Sequence, residues 1–169
     1  MQVEELLGES QETTHLTYQS RVRAYRLEGR RDEALEVAYE ILRQLPKGHR
    51  CWSLVGEASW LLRERKQYGE ALELLARYLT DRSSAGPVPD PLLPERARVL
   101  AAMGDKNGAE QTLKAFLATP YAADGSSSPA TDAWLMLGFL REERGDAAGA
   151  IEAWKHAHQG HHDVFFAGR

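Results

Sequence analysis

Cysteine is nearly missing from this chain: Cys51 is the only one in 169 residues, so no internal disulfide can form and the fold must be held by packing. Strand-favouring β-branched residues are scarce beside Ala, Leu, Glu and Arg, which lose little on entering a helix, so strands are not expected. A basic excess is missing too. Twenty-one Lys and Arg against 25 Asp and Glu leave a net charge of −4, which argues against a nucleic-acid partner and excludes no protein partner. No apolar run approaches the roughly 18 residues that cross a bilayer. The N-terminus MQVEELLGES lacks the basic-then-apolar layout of a secretory signal. With one unpaired cysteine, that points to a reducing, cytoplasmic setting.

What is there is an internal repeat. In Thr131–Val164, Trp134, Leu137 and Gly138 come first, and Gly145, Ala150, Trp154 and Ala157 follow, at offsets that fit two antiparallel helices joined by a tight turn. Weaker copies precede it. In 15–48, Tyr18, Val22 and Tyr25 lie on one face, Gly29 makes the turn, and Ala34, Leu35, Ala38, Ile41 and Leu42 form the second face before Pro46. In 90–123, Leu93, Ala97 and Leu100 precede Gly104, and Ala109, Leu113 and Phe116 precede Pro120. Each of these three copies sets its turn glycine five residues before an alanine. Glycine permits a left-handed turn residue, and alanine lets the two helices approach closely.

The copy over 49–85 is irregular. Trp52, Val55 and Gly56 open it, with Trp52 standing 34 residues after Tyr18, but LLRERKQYGEAL has no glycine at the turn. The face of Tyr68, Ala71, Leu72 and Leu75 arrives three residues late, which predicts an extended first helix and a local distortion between Arg63 and Gln67. The segments 83–91 and 123–130, rich in Gly, Ser and Pro, read as loops. Residues 1–14 read as a leader or short helix, and 165–169 as a C-terminal tail.

These four units resemble the tetratricopeptide repeat, over nearly the whole of 15–164. The resemblance implies an all-α fold, a right-handed α-solenoid of about four hairpins, with a concave groove lined by the first helix of each hairpin. It also implies a peptide or helix of a partner protein as ligand, and no catalysis. In this register the groove is lined by Gln19, Arg23 and Arg26, then by Arg50, Ser53, Glu57 and Trp60, then by Pro94 and Arg98, and last by Leu135, Phe139 and Glu142. Any one of these is equally well an ordinary residue on a solvated helix face. One subset of the family clamps the C-terminal carboxylate of heat-shock chaperones with lysines and asparagines. The matching positions here hold Gln19, Arg23, Leu54, Pro91 and Glu95, so no such clamp is expected. Arg23, Arg26 and Arg50 remain candidates for an acidic peptide, because guanidinium pairs bidentately with carboxylate. Unit 15–48 has seven basic and five acidic residues and 131–169 has four and six, so the array runs from mildly basic to acidic.

The remaining chemistry is thin. His156, His158, His161 and His162 with Asp163 are the one cluster of metal-ligand character. His156 and His158 point to different sides of a helix that Gly160 is expected to break, so a solvated helix terminus is the better reading and no metal or cofactor is predicted. Trp52, Trp134 and Trp154 fall at packing positions, whereas Trp60 falls on the groove and is the first choice for a binding hot spot. Cys51 has no histidine and acid partners in a recognisable motif, Glu142 and Glu143 read as solvated, and GDKNGAEQ reads as a turn rather than a phosphate loop. No catalytic residue is assigned. After Gly160 the chain shows no polar capping helix, which leaves Phe165 and Phe166 as a face for its own tail, for another copy in a homo-oligomer, or for the rest of a longer protein.

Overall fold

A computed structural model describes residues 20–44, 51–80, 92–119, 122 and 128–166. Among them all regular structure is helical: α1 (residues 20–27), α2 (Arg31–Gln44), α3 (Trp52–Glu64), α4 (Tyr68–Thr80), α5 (Leu93–Ala102), α6 (Lys106–Leu117), α7 (Ser128–Glu142) and α8 (Ala147–Phe166). The chain separates into two compact units, Met1–Asp81 and Arg82–Arg169, and each holds two helical hairpins.

All four hairpin turns are built alike. Gly29, Gly104 and Gly145 sit at φ of +77°, +90° and +80°, and in the second hairpin Lys66 takes the same left-handed conformation at +59°. In every case this residue donates its N–H to the carbonyl three back, and the next residue donates to the carbonyl five back. Gly29 reaches Arg26 and Arg30 reaches Tyr25; Lys66 reaches Arg63 and Gln67 reaches Leu62, all at 2.9 to 3.1 Å. This pair of bonds satisfies the last carbonyls of the helix, which otherwise lack partners. The expected distortion between Arg63 and Gln67 is confined to the backbone of Lys66, the one non-glycine residue at positive φ among the described residues, and the turn's hydrogen bonds are regular. A lysine occupies the glycine position of a regular turn, five residues before Ala71 as Gly29 is before Ala34. The strain is local, and Lys66→Gly is expected to raise stability by about 0.5–1 kcal/mol, since left-handed backbone costs a side-chain-bearing residue about 1–2 and glycine loses part of that in chain entropy. Urea unfolding of the two proteins measures this, and a destabilised Lys66→Gly protein would contradict the geometry.

Counting from the left-handed residue lines up the core. Five residues on stand Ala34, Ala71, Ala109 and Ala150, all buried. Seven residues back stand Val22, Ser59, Ala97 and Gly138, also buried. Each lies where two helices meet, and small residues there set the close approach. Ser59 thus fills the slot that the 34-residue count gave to Gly56, because the second turn arrives three residues late. Its hydroxyl is buried without a hydrogen-bond partner among the described residues. In the second unit one apolar cluster, including Leu113, Phe116, Ala133, Leu137 and Ala153, joins both hairpins. Asp105 and Asp146 start α6 and α8 by accepting the N–H of Gly108 and Gly149 at 2.9 Å, capping backbone donors that lack intrahelical partners.

A further correction falls at the C-terminus. α8 runs through Gly160 to Phe166. One glycine inside a helix costs only about 1 kcal/mol relative to alanine, too little to stop it unaided.

Candidate functional site

Each unit joins its two hairpins at the turn ends with the same pair of contacts. In the first, Arg31 meets Glu64 at 3.7 Å and Asp32 meets Arg65 at 3.3 Å. In the second, Lys106 meets Glu143 at 2.9 Å and Asn107 accepts from Arg144. The positions are equivalent: the second and third residues after one turn meet the second-last and last residues before the next. Three ion pairs and one hydrogen bond to Asn107 at these places thus link one hairpin to the other, each individually weak because it is solvated. Glu110 adds a buried centre in the second unit. Its carboxylate meets Lys114 at 2.7 Å, Arg141 at 3.6 Å and Arg144. The Lys114 hydrogen bond, with the charges of Lys114, Arg144 and Arg141, holds this carboxyl below its ordinary 4.5 against the opposing effect of burial.

The expected groove residues divide between the units and are described within each. In the first unit Gln19 and Arg50 lie outside the described residues, and Arg23 is exposed on α1. Arg26, Glu57 and Trp60 come together. Arg26 Nε lies 3.2 Å from Glu57 Oε2, an ion pair whose N–H is not aligned for a hydrogen bond. The Arg26 guanidinium lies 5.0 Å from the Trp60 ring centre, and that of Arg31 5.9 Å. Trp60 is half-buried beneath them. Counted from Lys66, the positions equivalent to Arg23 and Arg26 are Trp60 and Arg63, so Glu57 falls out of register and Ser53 sits one turn further back. An acidic peptide would have to displace Glu57 from Arg26, and that removes much of the advantage the arginines offered by count alone.

In the second unit Arg98 on α5 bridges Glu95 at 3.2 Å and Asp132 on α7 at 3.4 Å, while Pro94 is buried. Along α7, Leu135 and Phe139 are 39% and 57% exposed, and Glu142 is exposed. Phe139 is held edge-on against Trp154 at 5.9 Å. Trp154 in turn covers Gly138, where a Cβ would lie 2.8 Å from the indole Cε2 and closer still to Nε1 and Cδ1. Trp134 stacks on His156 at 4.4 Å, so that ring is engaged with an aromatic neighbour. Among the described residues no three His, Cys, Asp or Glu side chains converge as a metal set would require. Burial pushes the Cys51 thiol up, against a hydrogen bond with Tyr78, which disfavours a thiolate nucleophile. Phe165 and Phe166 end α8, and their side chains lie outside the described residues. No described helix is long and apolar enough to cross a membrane.

Solved structures of MamA, a protein containing tetratricopeptide repeats, share this helical fold. Residues 41 to the end of MamA from Desulfovibrio magneticus RS-1 match with a TM-score of 0.63 at 13% identity, over 88% of this chain and 76% of that one. A double mutant of MamA RS-1 matches at 0.62 and 13%, over 94% and 82%. Another MamA crystal structure matches at 0.58 and 16%, over 82% and 73%. The fold is a tetratricopeptide-like helical solenoid. No protein-family model and no curated protein matches the sequence. At these identities the likeness extends to the fold alone, and the surface described above belongs to this chain. What sequence reading missed is the pairing: Glu57 already engages Arg26, and Glu95 and Asp132 already engage Arg98.

Proposed function

We propose that this chain is a protein-interaction module that takes a helical or extended segment of a partner protein on the exposed stripe of α7, by binding alone and without chemistry on it. One observation carries this reading. Leu135 and Phe139, one turn apart, hold apolar surface in water on a helix whose opposite face, at Ala133, Leu137 and Leu140, is buried. An exposed pair of large apolar side chains on a rigid helix is what a binding face offers, since the scaffold loses no order when a ligand docks. Phe139, fixed edge-on by Trp154, is the anchor.

Selection of a displayed peptide library against the protein, with Leu135→Ser/Phe139→Ser as counter-target, tests this. Selected peptides are expected to bind the double variant at least about tenfold more weakly, which corresponds to about 1.4 kcal/mol, while circular dichroism shows that it remains folded. Peptides that bind both proteins equally would sink the assignment of the face.

A further inference from the structure

Counted from the left-handed turn residue, the joint between two hairpins has a fixed register. The second residue after one turn meets the second before the next: Arg31 with Glu64 in the first unit, Lys106 with Glu143 in the second. The sixth residue after the turn is a hub. In the second unit it is Glu110, which receives Arg141 and Arg144, the fourth and first residues before the next turn. Where another hairpin follows within a unit, the sixth and ninth residues are buried: Leu35 and Ala38 in the first hairpin, Glu110 and Leu113 in the third.

The fourth hairpin reads differently at the same positions. Ala147 stands in the place of Arg31 and Lys106, Ile151 in that of Glu110, and Trp154 in that of Leu113. Ala147 is exposed, Ile151 is 50% exposed and Trp154 is half-buried. α8 therefore holds in water an apolar version of a face that the next hairpin covers in the first and third hairpins. Its complement lies on the first hairpin of the same chain. There Leu27 stands in the place of Glu64 and Glu143, Tyr25 in that of Arg141, and Glu28 in that of Arg144. Leu27 is 74% exposed, more than any other large apolar side chain among the described residues. Both members of the outer pair have thus changed character together, from lysine against glutamate within the chain to alanine against leucine across its first and fourth hairpins. The inner positions match as well. Lys114 and Arg144 share the Glu110 carboxylate, and their equivalents are Lys155 and Glu28, an opposite pair.

We infer that this chain associates head to tail with a second copy of itself, the fourth hairpin of one copy receiving the first hairpin of the next, with Ala147 and Ile151 against Leu27 and Tyr25. The inference goes beyond the α7 binding face and does not depend on it. The two surfaces differ, so the contact is heterologous, and removal of Leu27 and Ile151 from water drives it.

Sedimentation velocity of the full chain, followed up to about 0.5 mM because the patch belongs to the small, weak class of interfaces, is expected to show species larger than the monomer. Leu27→Glu and Ile151→Glu each set a charge against an apolar neighbour, so each alone is expected to weaken self-association about tenfold or more. Circular dichroism checks that both variants are folded. Mixed in equal amounts they should form a dimer, because Leu27→Glu keeps the fourth-hairpin face and Ile151→Glu keeps the first-hairpin face. Ala147→Lys added to Leu27→Glu should restore self-association in a salt-sensitive form, by copying Lys106 and Glu143. A wild-type chain that stays monomeric throughout overturns the proposal, as does association that survives either single variant. Survival in Leu27→Glu alone would mean that two α8 faces pair symmetrically. A mixture of the two variants that stays monomeric overturns the head-to-tail contact in the same way.

Discussion

Gly138→Val is expected to destabilise the protein by about 3 kcal/mol, and Gly138→Ala by about 1–2, the cost of forcing atoms into a packed contact less any gain in helix propensity. The contact is with the flat of Trp154, not with the free end of a flexible chain: an added Cβ lies within 2.8 Å of the indole. The ring cannot swing aside cheaply because Phe139 stands edge-on to it at 5.9 Å. Gly56 supplies the control. It lies in α3 with nothing within 4 Å of a built Cβ, so Gly56→Ala is expected to stabilise by about 0.5–1 kcal/mol through propensity alone. Urea unfolding followed by circular dichroism separates the two. The contact is also tested in reverse, because Trp154→Leu should lessen the penalty of Gly138→Ala in a double-mutant cycle. If the two penalties simply add, Trp154 does not set the space at Gly138.

Glu110→Ala is expected to cost about 2 kcal/mol near neutral pH. The carboxylate is buried and is the shared partner of Lys114, Arg141 and Arg144. Removing one member of a fully buried pair costs about 3–5 kcal/mol, but Lys114 and Arg144 keep access to water and recover part of their hydration, which lowers the figure. The pH dependence has a definite sign. A carboxyl held below its ordinary 4.5 in the folded protein contributes stability that is present above that value and is lost as the pH falls through the folded-state value. Wild type should therefore lose stability below about pH 4.5 faster than Glu110→Gln, and the gap between them should close as the carboxyl protonates. A gap that stays constant from pH 7 to pH 3 would show that the site acts by packing and not by charge.

How much of this was legible beforehand varies from element to element. The spacing from Gly29 to Ala34, Gly104 to Ala109 and Gly145 to Ala150 identified three turns, since the left-handed residue and the close helix contact are both local demands on residue type. Lys66 escaped because its backbone strain, about 1 kcal/mol, is small enough to be carried by the packing of Ala71 and Leu75 behind it, and a lysine announces no turn. That one miss displaced the second hairpin's register by three residues. It put Glu57 on the expected groove, and it gave Trp60 the place of Arg26 when its equivalent is Arg23. Gly160 erred in the other direction, since a glycine weakens a helix without having to end it.

By itself the sequence determined that this protein is helical, that it is built of repeated hairpins, and where three of the four turns fall, because periodicity and turn chemistry act over a few neighbouring residues. Only the tertiary structure decided which charges are already engaged. Glu57 meets Arg26 and Asp132 meets Arg98 across separations of 31 and 34 residues. Those separations are bridged by how one hairpin packs on the next, which turns Arg26 and Arg98 from apparently available cations into members of ion pairs.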